Sequence, residues 1–337
     1  MFNRLHIKKL LGASALALAL TATATQAREL RVSVHEPAQG FYSAKILQPW
    51  IDEMNVKLSK KTSFKLYPGA ILGAPPAQAE LVKAGVADVA LIVPTYTPGL
   101  FPMTGVVEVP GVAPTSTQGA KVLNALLEEG ALDAEYADYK VLALFSTPGY
   151  RFFMTDASAE TPADLKGLKL RTPSKFGSTL FDMLGASGVS VPAPQVYENL
   201  ERGVVSGAVW VMDAYRTFRL NEVAPYITNT RYTASPMAIL MNKRSYDSLS
   251  DEDKAVLDEM TGRSMAEWIA SVVDEADAEI EASYRQDENL TFIDLDEAGL
   301  APWKAALAGA PAAWVAEQAD PAAAQAVLDH AMQISAE

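Results

Sequence analysis

Two arginines are the residues whose surroundings suggest chemistry. Arg151 opens an extended segment just after Pro148-Gly149, and Arg171 closes the run Leu168–Thr172, immediately before Pro173-Ser174 starts a helical stretch. A guanidinium at the C-terminal end of a strand, beside the free amides of a helix N-terminus, can grip a carboxylate with two parallel hydrogen bonds. Open α/β sheets place ligands at that edge. The same residues could equally form surface ion pairs in an acidic protein, and spacing alone leaves both readings open. Other chemistry is thin. With no cysteine among 337 residues, a disulfide framework, a thiolate metal site and a cysteine nucleophile are all excluded. His35 and His330 lie far apart and in no nucleophile motif, which argues against a zinc site or a Ser–His–Asp triad. The loop Gly69–Gly73 lacks the spacing of a dinucleotide fingerprint. No catalytic residue, metal or cofactor is expected.

The elements that must position these arginines follow a leader. Residues 1–27 read as a secretory signal peptide: Arg4, Lys8 and Lys9 form the positive start, Leu10–Leu20 the apolar run, and Thr21–Ala27 the small residues before cleavage near Ala27. The apolar run is shorter than the ~20 residues a spanning helix needs. A formal net charge of −13, from 28 Lys+Arg against 41 Asp+Glu, argues against nucleic acid, which demands a basic stripe.

Glu29–His35 alternates apolar and polar residues as a half-buried strand does. Helical spacing then runs from about Tyr42 to Ser59. Ser63–Tyr67 reads as a strand stopped by Pro68-Gly69, Pro76–Ala84 as a helix and Ala87–Val93 as a buried strand. This alternation predicts a mostly parallel sheet with helices on both faces. The pattern restarts at Lys140, with strands over Val141–Ser146, Arg151–Thr155 and Leu168–Thr172 and a helix over Ser174–Leu184. Val189–Val191, a short helix near Val196–Arg202 and the apolar stretch Ala208–Met212 complete a second α/β unit. Met237–Met241 reads as a strand returning to the first. From Ser250 to about Asp287 the chain reads as helical, with Ser250 and Asp253 as a capping box and Gly262 as a kink or break. Its stripe of Leu257, Met260, Met265, Trp268, Ile269, Val272, Val273, Ala276 and Ile280 is expected to pack in the core.

Several segments carry a resemblance through their order and spacing: Phe64–Gly73, Leu81–Asp88, Phe101-Pro102 with Glu108–Pro110, Asp164–Pro173, Leu184–Ser187, Val196-Tyr197, Glu201–Gly207, Met241–Lys243 and Leu249–Asp253. Together they resemble the DctP family of extracytoplasmic solute-binding proteins, which serve TRAP transporters, over nearly all of the chain after residue 27. The resemblance implies an α/β, two-lobed periplasmic-binding-protein fold. Each lobe is then a mostly parallel sheet flanked by helices, with a long helix spanning both. The lobes are expected over 28–147 plus 236–276 and over 148–235 plus 277–337. It also implies a periplasmic protein that is not an enzyme, captures a small organic anion by lobe closure and delivers it to membrane permease subunits. A sensor kinase is the alternative partner.

By the same resemblance, Arg171 occupies the position of the arginine that pairs with the ligand carboxylate, and Arg151 matches a second ligand-facing arginine. Trp210 and His35 fall at ligand-contacting positions, and Tyr96 lies close to another. The absence of an acid at Val209 disfavours a metal-assisted mode. Pro75 and Val93 stand where sialic-acid binders place acids, and Ala193 leaves room where an aromatic often sits. The inferred pocket suits an aromatic or hydroxyaromatic monocarboxylate, with His35, Tyr96 or Asp213 meeting a hydroxyl and Phe152 and Phe176 flanking the arginines. An aliphatic or sugar acid is the alternative ligand.

Overall fold

The computed structural model describes residues 28–336, so the expected signal peptide lies outside the described residues. The strands are β1 (Arg28–Ser33), β2 (Thr62–Tyr67), β3 (Val89–Ile92), β4 (Tyr139–Ser146), β5 (Arg151–Met154) and β6 (Lys169–Thr172). They continue with β7 (Ser187–Ser190), β8 (Gly207–Trp210), β9 (Tyr226–Asn229), β10 (Pro236–Asn242) and β11 (Thr291–Asp294). They form two sheets, ordered β2-β1-β3-β10-β4 and β11-β9-β5-β8-β6-β7. Each is flanked by helices, in keeping with the two-layered α/β architecture that alternating elements predict.

Neither sheet is purely parallel. β10 enters the first sheet between β3 and β4 and runs antiparallel to both, while β5 runs antiparallel to β8 and β9 in the second. The strand read at Val141–Ser146 as the restart of the pattern is β4, and it belongs to the first sheet. Its partner β10 decides this, and β10 lies some ninety residues further on, beyond the reach of local pattern. The return of Met237–Met241 to the first unit is observed. The two connections between sheets, β4 to β5 and β9 to β10, lie side by side: the Thr147 amide donates to Ser235 O at 2.8 Å and the Tyr150 amide to Thr233 O at 2.7 Å. The helix Pro321–Ala336 closes the chain against the helix Ser116–Glu128 of the first lobe, where Gln118 Nε2 donates to Ser335 O at 2.7 Å.

The long helical region is broken where glycine permits it. A helix over Asp251–Glu259 ends, Gly262 takes φ 76°, and a second helix runs Arg263–Tyr284. Ser250 caps the first of these by accepting from the Asp253 amide, but only half of the capping box forms. The Asp253 carboxylate accepts instead from the Ser59 amide and hydroxyl and from the Thr62 hydroxyl, at 2.8, 2.9 and 2.7 Å, and so pins the helix to the loop before β2.

In the Arg263–Tyr284 helix, Met265, Ile269, Ala270 and Val273 pack into the first lobe, and Ile280 joins the core of the second. Full burial of such side chains contributes ~1.5–3 kcal/mol each. Trp268, expected in the packed stripe, is 40% exposed, because the buried face follows the row 265–269–273 and leaves residue 268 on its flank. The same helix is tied to β5 by charge. Arg151 is fully buried, its Nη1 and Nη2 donate to the two oxygens of Asp277 at 2.9 and 2.7 Å, its Nη2 pairs with Glu281, and its Nε donates to Asn229 Oδ1 at 2.7 Å.

Breaking a buried pair from one side strands the remaining charge. Asp277→Ala removes two charge-assisted hydrogen bonds but leaves Glu281 on Arg151, so it should lower the unfolding free energy by about 1.5–3 kcal/mol in urea denaturation. A loss below about 1 kcal/mol would mean that the network is screened like a surface pair.

Candidate functional site

A narrow cavity lies where the two lobes and their connections converge. The first lobe contributes His35 and Glu36, just past β1, with Val93 and Tyr96 past β3. The second contributes Pro173 past β6 and Trp210, Asp213 and Phe218 past or at the end of β8. Thr147, Tyr150 and Ser235 come from the paired connections. The free space is about 30 Å3, close to one water molecule's share of the liquid.

Arg171 lies directly behind the wall of this cavity, in contact with two residues that line it, Tyr96 and Trp210. It lies on β6 between Val189 of β7 and Ala208 of β8 and is fully buried. Its Nε donates to Val191 O at 2.9 Å, its Nη1 to Val209 O at 3.4 Å and its Nη2 to Tyr96 Oη at 3.2 Å. The guanidinium carbon sits 4.3 Å from the centroid of the Trp210 ring, which itself stacks on Phe218. These contacts orient the group without neutralising it: among the described residues no carboxylate lies within ion-pair distance of Arg171. A guanidinium carries five N–H donors in a fixed fork, so one N–H on each terminal nitrogen remains to be satisfied. Tyr96 Oη accepts from Arg171 and also from the Ala193 amide at 3.1 Å, which leaves its own hydrogen free to donate. The arrangement can hold one planar anion with three donors.

The local sequence explains the placement. β6 ends at Thr172, Pro173 blocks continuation of the ladder, and Ser174 caps the helix Lys175–Met183 by accepting from the Gly177 amide at 2.8 Å. That strand–cap–helix succession puts Arg171 at the carboxyl edge of its sheet, as its sequence context predicts.

The structure thus brings Tyr96, Trp210, His35 and Asp213 to one cavity, with Arg171 behind Tyr96 and Trp210. It sets three other candidates elsewhere. Arg151 faces the Arg263–Tyr284 helix and has its donors engaged by Asp277, Glu281 and Asn229. Phe152, its neighbour on β5, is on the opposite face of the strand, packed against Phe181, Tyr232 and Trp303 with ring centroids 6.1, 5.6 and 5.1 Å away. Phe176 lines a separate cleft with Pro94, Ser174 and Trp314. Sequence reasoning passed over Glu36, Tyr42 and Tyr150, all of which line the cavity. Only the position of Glu36 at the end of β1, next to His35, could have flagged it.

The cavity is electrostatically divided. Burial, and then the Arg171 charge, push His35 down to about 4, so its imidazole is neutral at ordinary pH. Burial, and then Asp213, push Glu36 up to about 8. Burial, and then Asp277, push Asp213 up to about 7. Glu108, under a neighbouring cleft, is likewise raised to about 8, chiefly by burial.

The sequence profile of DctP, described as bacterial extracellular solute-binding protein, family 7, matches residues 33–318. A solved TRAP solute-binding protein from a marine metagenome, specific for aromatic acid ligands and in complex with metahydroxyphenylacetate, superposes with a TM-score of 0.87 at 27% identity. It covers 91% of this chain and 98% of that one. A TRAP solute-binding protein from Rhodoferax ferrireducens with copurified benzoate also has a TM-score of 0.87, at 25% identity, covering 92% and 98%. The 2,3-diketo-L-gulonate-binding periplasmic protein YiaO of Escherichia coli is 26% identical over 208 residues, 61% of this chain and 63% of that relative.

A carboxyl raised on folding stabilises the protein fully below its unfolded value and ceases to do so as pH climbs through its folded value. His35, lowered on folding, titrates only below about pH 6.5. The melting temperature without ligand should therefore fall from about pH 6.5 to about pH 8.5, and Glu108→Gln should flatten that slope. A melting temperature that rises over the same range in differential scanning calorimetry would contradict the burial of these carboxyls.

Proposed function

The chain belongs to the DctP family of bacterial extracellular solute-binding proteins, and on that premise we propose that it captures an aromatic monocarboxylate, whose carboxylate rests on Arg171. It does so in the periplasm and hands the ligand to the membrane permease subunits of a TRAP transporter. One observation carries this reading: a fully buried guanidinium, oriented by two backbone carbonyls and Tyr96, for which the described residues provide no counter-ion. A buried charge is tolerated when something pairs with it. An incoming carboxylate would take the two remaining N–H donors side by side and accept the Tyr96 hydroxyl hydrogen.

The aromatic body is supported by the walls. Trp210, Phe218, Tyr150 and Tyr96 offer ring surface. The two solved relatives whose ligands are aromatic acids support the same class. Closure follows from geometry. Residues of both lobes border a cavity no larger than a water molecule's share, so a ring enters only when the walls part. Once bound, it stabilises whichever closed arrangement lets both lobes touch it, by the difference in affinity between open and closed states.

A thermal-shift screen of organic acids tests the reading. An aromatic acid at 100 times its Kd should add about 2.7 kcal/mol to stability. Arg171→Ala should weaken that acid about 100- to 1,000-fold in isothermal titration, because the ligand charge is then stranded in a dry site. If Arg171→Ala binds as the wild type does, the clamp is wrong. If uronic or other sugar acids bind and aromatic acids do not, the ligand class is wrong while the carboxylate clamp stands.

A further inference from the structure

We propose that Glu36, Tyr42 and Asp213 form a hydroxyl-reading end of the ligand site, which selects carboxylic acids that carry a hydroxyl over those that do not. This rests on the Arg171 reading and extends it to other residues around the cavity that Tyr96 and Trp210 line. The three residues all line that cavity, and all are at least nine-tenths buried. Two of their polar atoms have no partner: Asp213 Oδ2 and Tyr42 Oη. A buried polar group left unpaired costs ~1–3 kcal/mol, so two at one wall of a ligand cavity call for an occupant.

The wall is built for the purpose. Tyr42 opens a six-residue π-helix, Tyr42–Leu47, a rare turn that recurs at functional sites. The Tyr42 amide donates to Glu36 Oε2 at 2.8 Å and ties the two residues together. Gly40 makes that turn possible, since a Cβ there would lie 2.7 Å from Glu36 Oε2 and 2.8 Å from Glu36 Cβ. Asp213 enters from the other lobe, in the first turn of the helix Met212–Thr217.

The chemistry follows from what each orphan can do. Asp213 Oδ2 accepts and Tyr42 Oη donates, and a hydroxyl satisfies both at once by donating to the first and accepting from the second. Asp213 acts electrostatically on Glu36, and Arg171 on His35 and Tyr150. The wall that carries Glu36 and Asp213 is acidic, whereas Arg171 sits behind Tyr96 and Trp210. Burial raises both carboxyls and so favours their neutral forms, which lessens the repulsion of an anionic ligand. A site with such groups rejects an analogue lacking the hydroxyl, because the buried atoms are then left unpaired.

Isothermal titration of the purified protein with benzoate, 3-hydroxybenzoate, 4-hydroxybenzoate and 3-aminobenzoate tests this. At least one hydroxybenzoate should bind about tenfold or more tighter than benzoate, the equivalent of 1.4 kcal/mol. In Tyr42→Phe, and separately in Asp213→Asn, that ratio should fall below about threefold, with folding checked by circular dichroism. Equal affinity for benzoate and both hydroxybenzoates in the wild type overturns the proposal and leaves the Arg171 clamp intact. So does a ratio that survives in both variants. Tightest binding of 3-aminobenzoate overturns it in favour of an end that only accepts, since the neutral amine donates but accepts poorly. If none of the four binds, the proposal falls together with the aromatic-acid reading beneath it.

Discussion

A guanidinium removed from water must find its compensation nearby, and this chain buries two of them completely, Arg151 and Arg171. For Arg151 the compensation is internal: Asp277 and Glu281 come from the long helix, and Asn229 completes the set. For Arg171 the described residues supply orientation without charge, through Val191 O, Val209 O, Tyr96 and the Trp210 ring. Paired, the first holds elements together. The second has no carboxylate partner among the described residues. The same side chain is thus paired in one place and not in the other, and the difference is only whether a carboxylate is in reach.

The two roles are linked through one helix. Arg263–Tyr284 packs its first half into the core of the first lobe and presents Asp277 and Glu281 to β5 of the second. Asp277 also accepts from the Met212 amide at 3.3 Å, one residue before Asp213. The element that neutralises Arg151 therefore also positions the turn carrying the acidic wall of the cavity. With the paired connections Thr147–Tyr150 and Thr233–Ser235 at its edge, the cavity sits at the junction about which the lobes would move. A ligand there contacts both lobes at once, which is the condition for coupling binding to closure.

The acidic overall charge and the basic site do not conflict. Surface acids act through water and salt and are screened beyond ~8–10 Å. Arg171 is fully buried, where an interaction between charges is far stronger than at the surface.

Much of this was written locally in the chain. The strand–proline–serine–helix succession after Arg171, the apolar strand at Val89–Ile92, the break at Gly262 and the long amphipathic helix all follow from near-neighbour chemistry, and so did the family resemblance. The short strands β9 and β11 carried no such signal, since four residues hold too few alternations to show a period. What tertiary structure alone decided is the fate of each arginine. Asp277 lies 126 residues from Arg151 and Tyr96 lies 75 residues from Arg171, distances over which spacing carries no information. The family resemblance assigned both arginines to the ligand, although one opens its strand and the other lies near the end of its own. A side chain's local context determines where it points along its own strand, but its charge is satisfied by whatever the fold brings opposite it. That is why one is paired within the protein and the other has no carboxylate partner among the described residues.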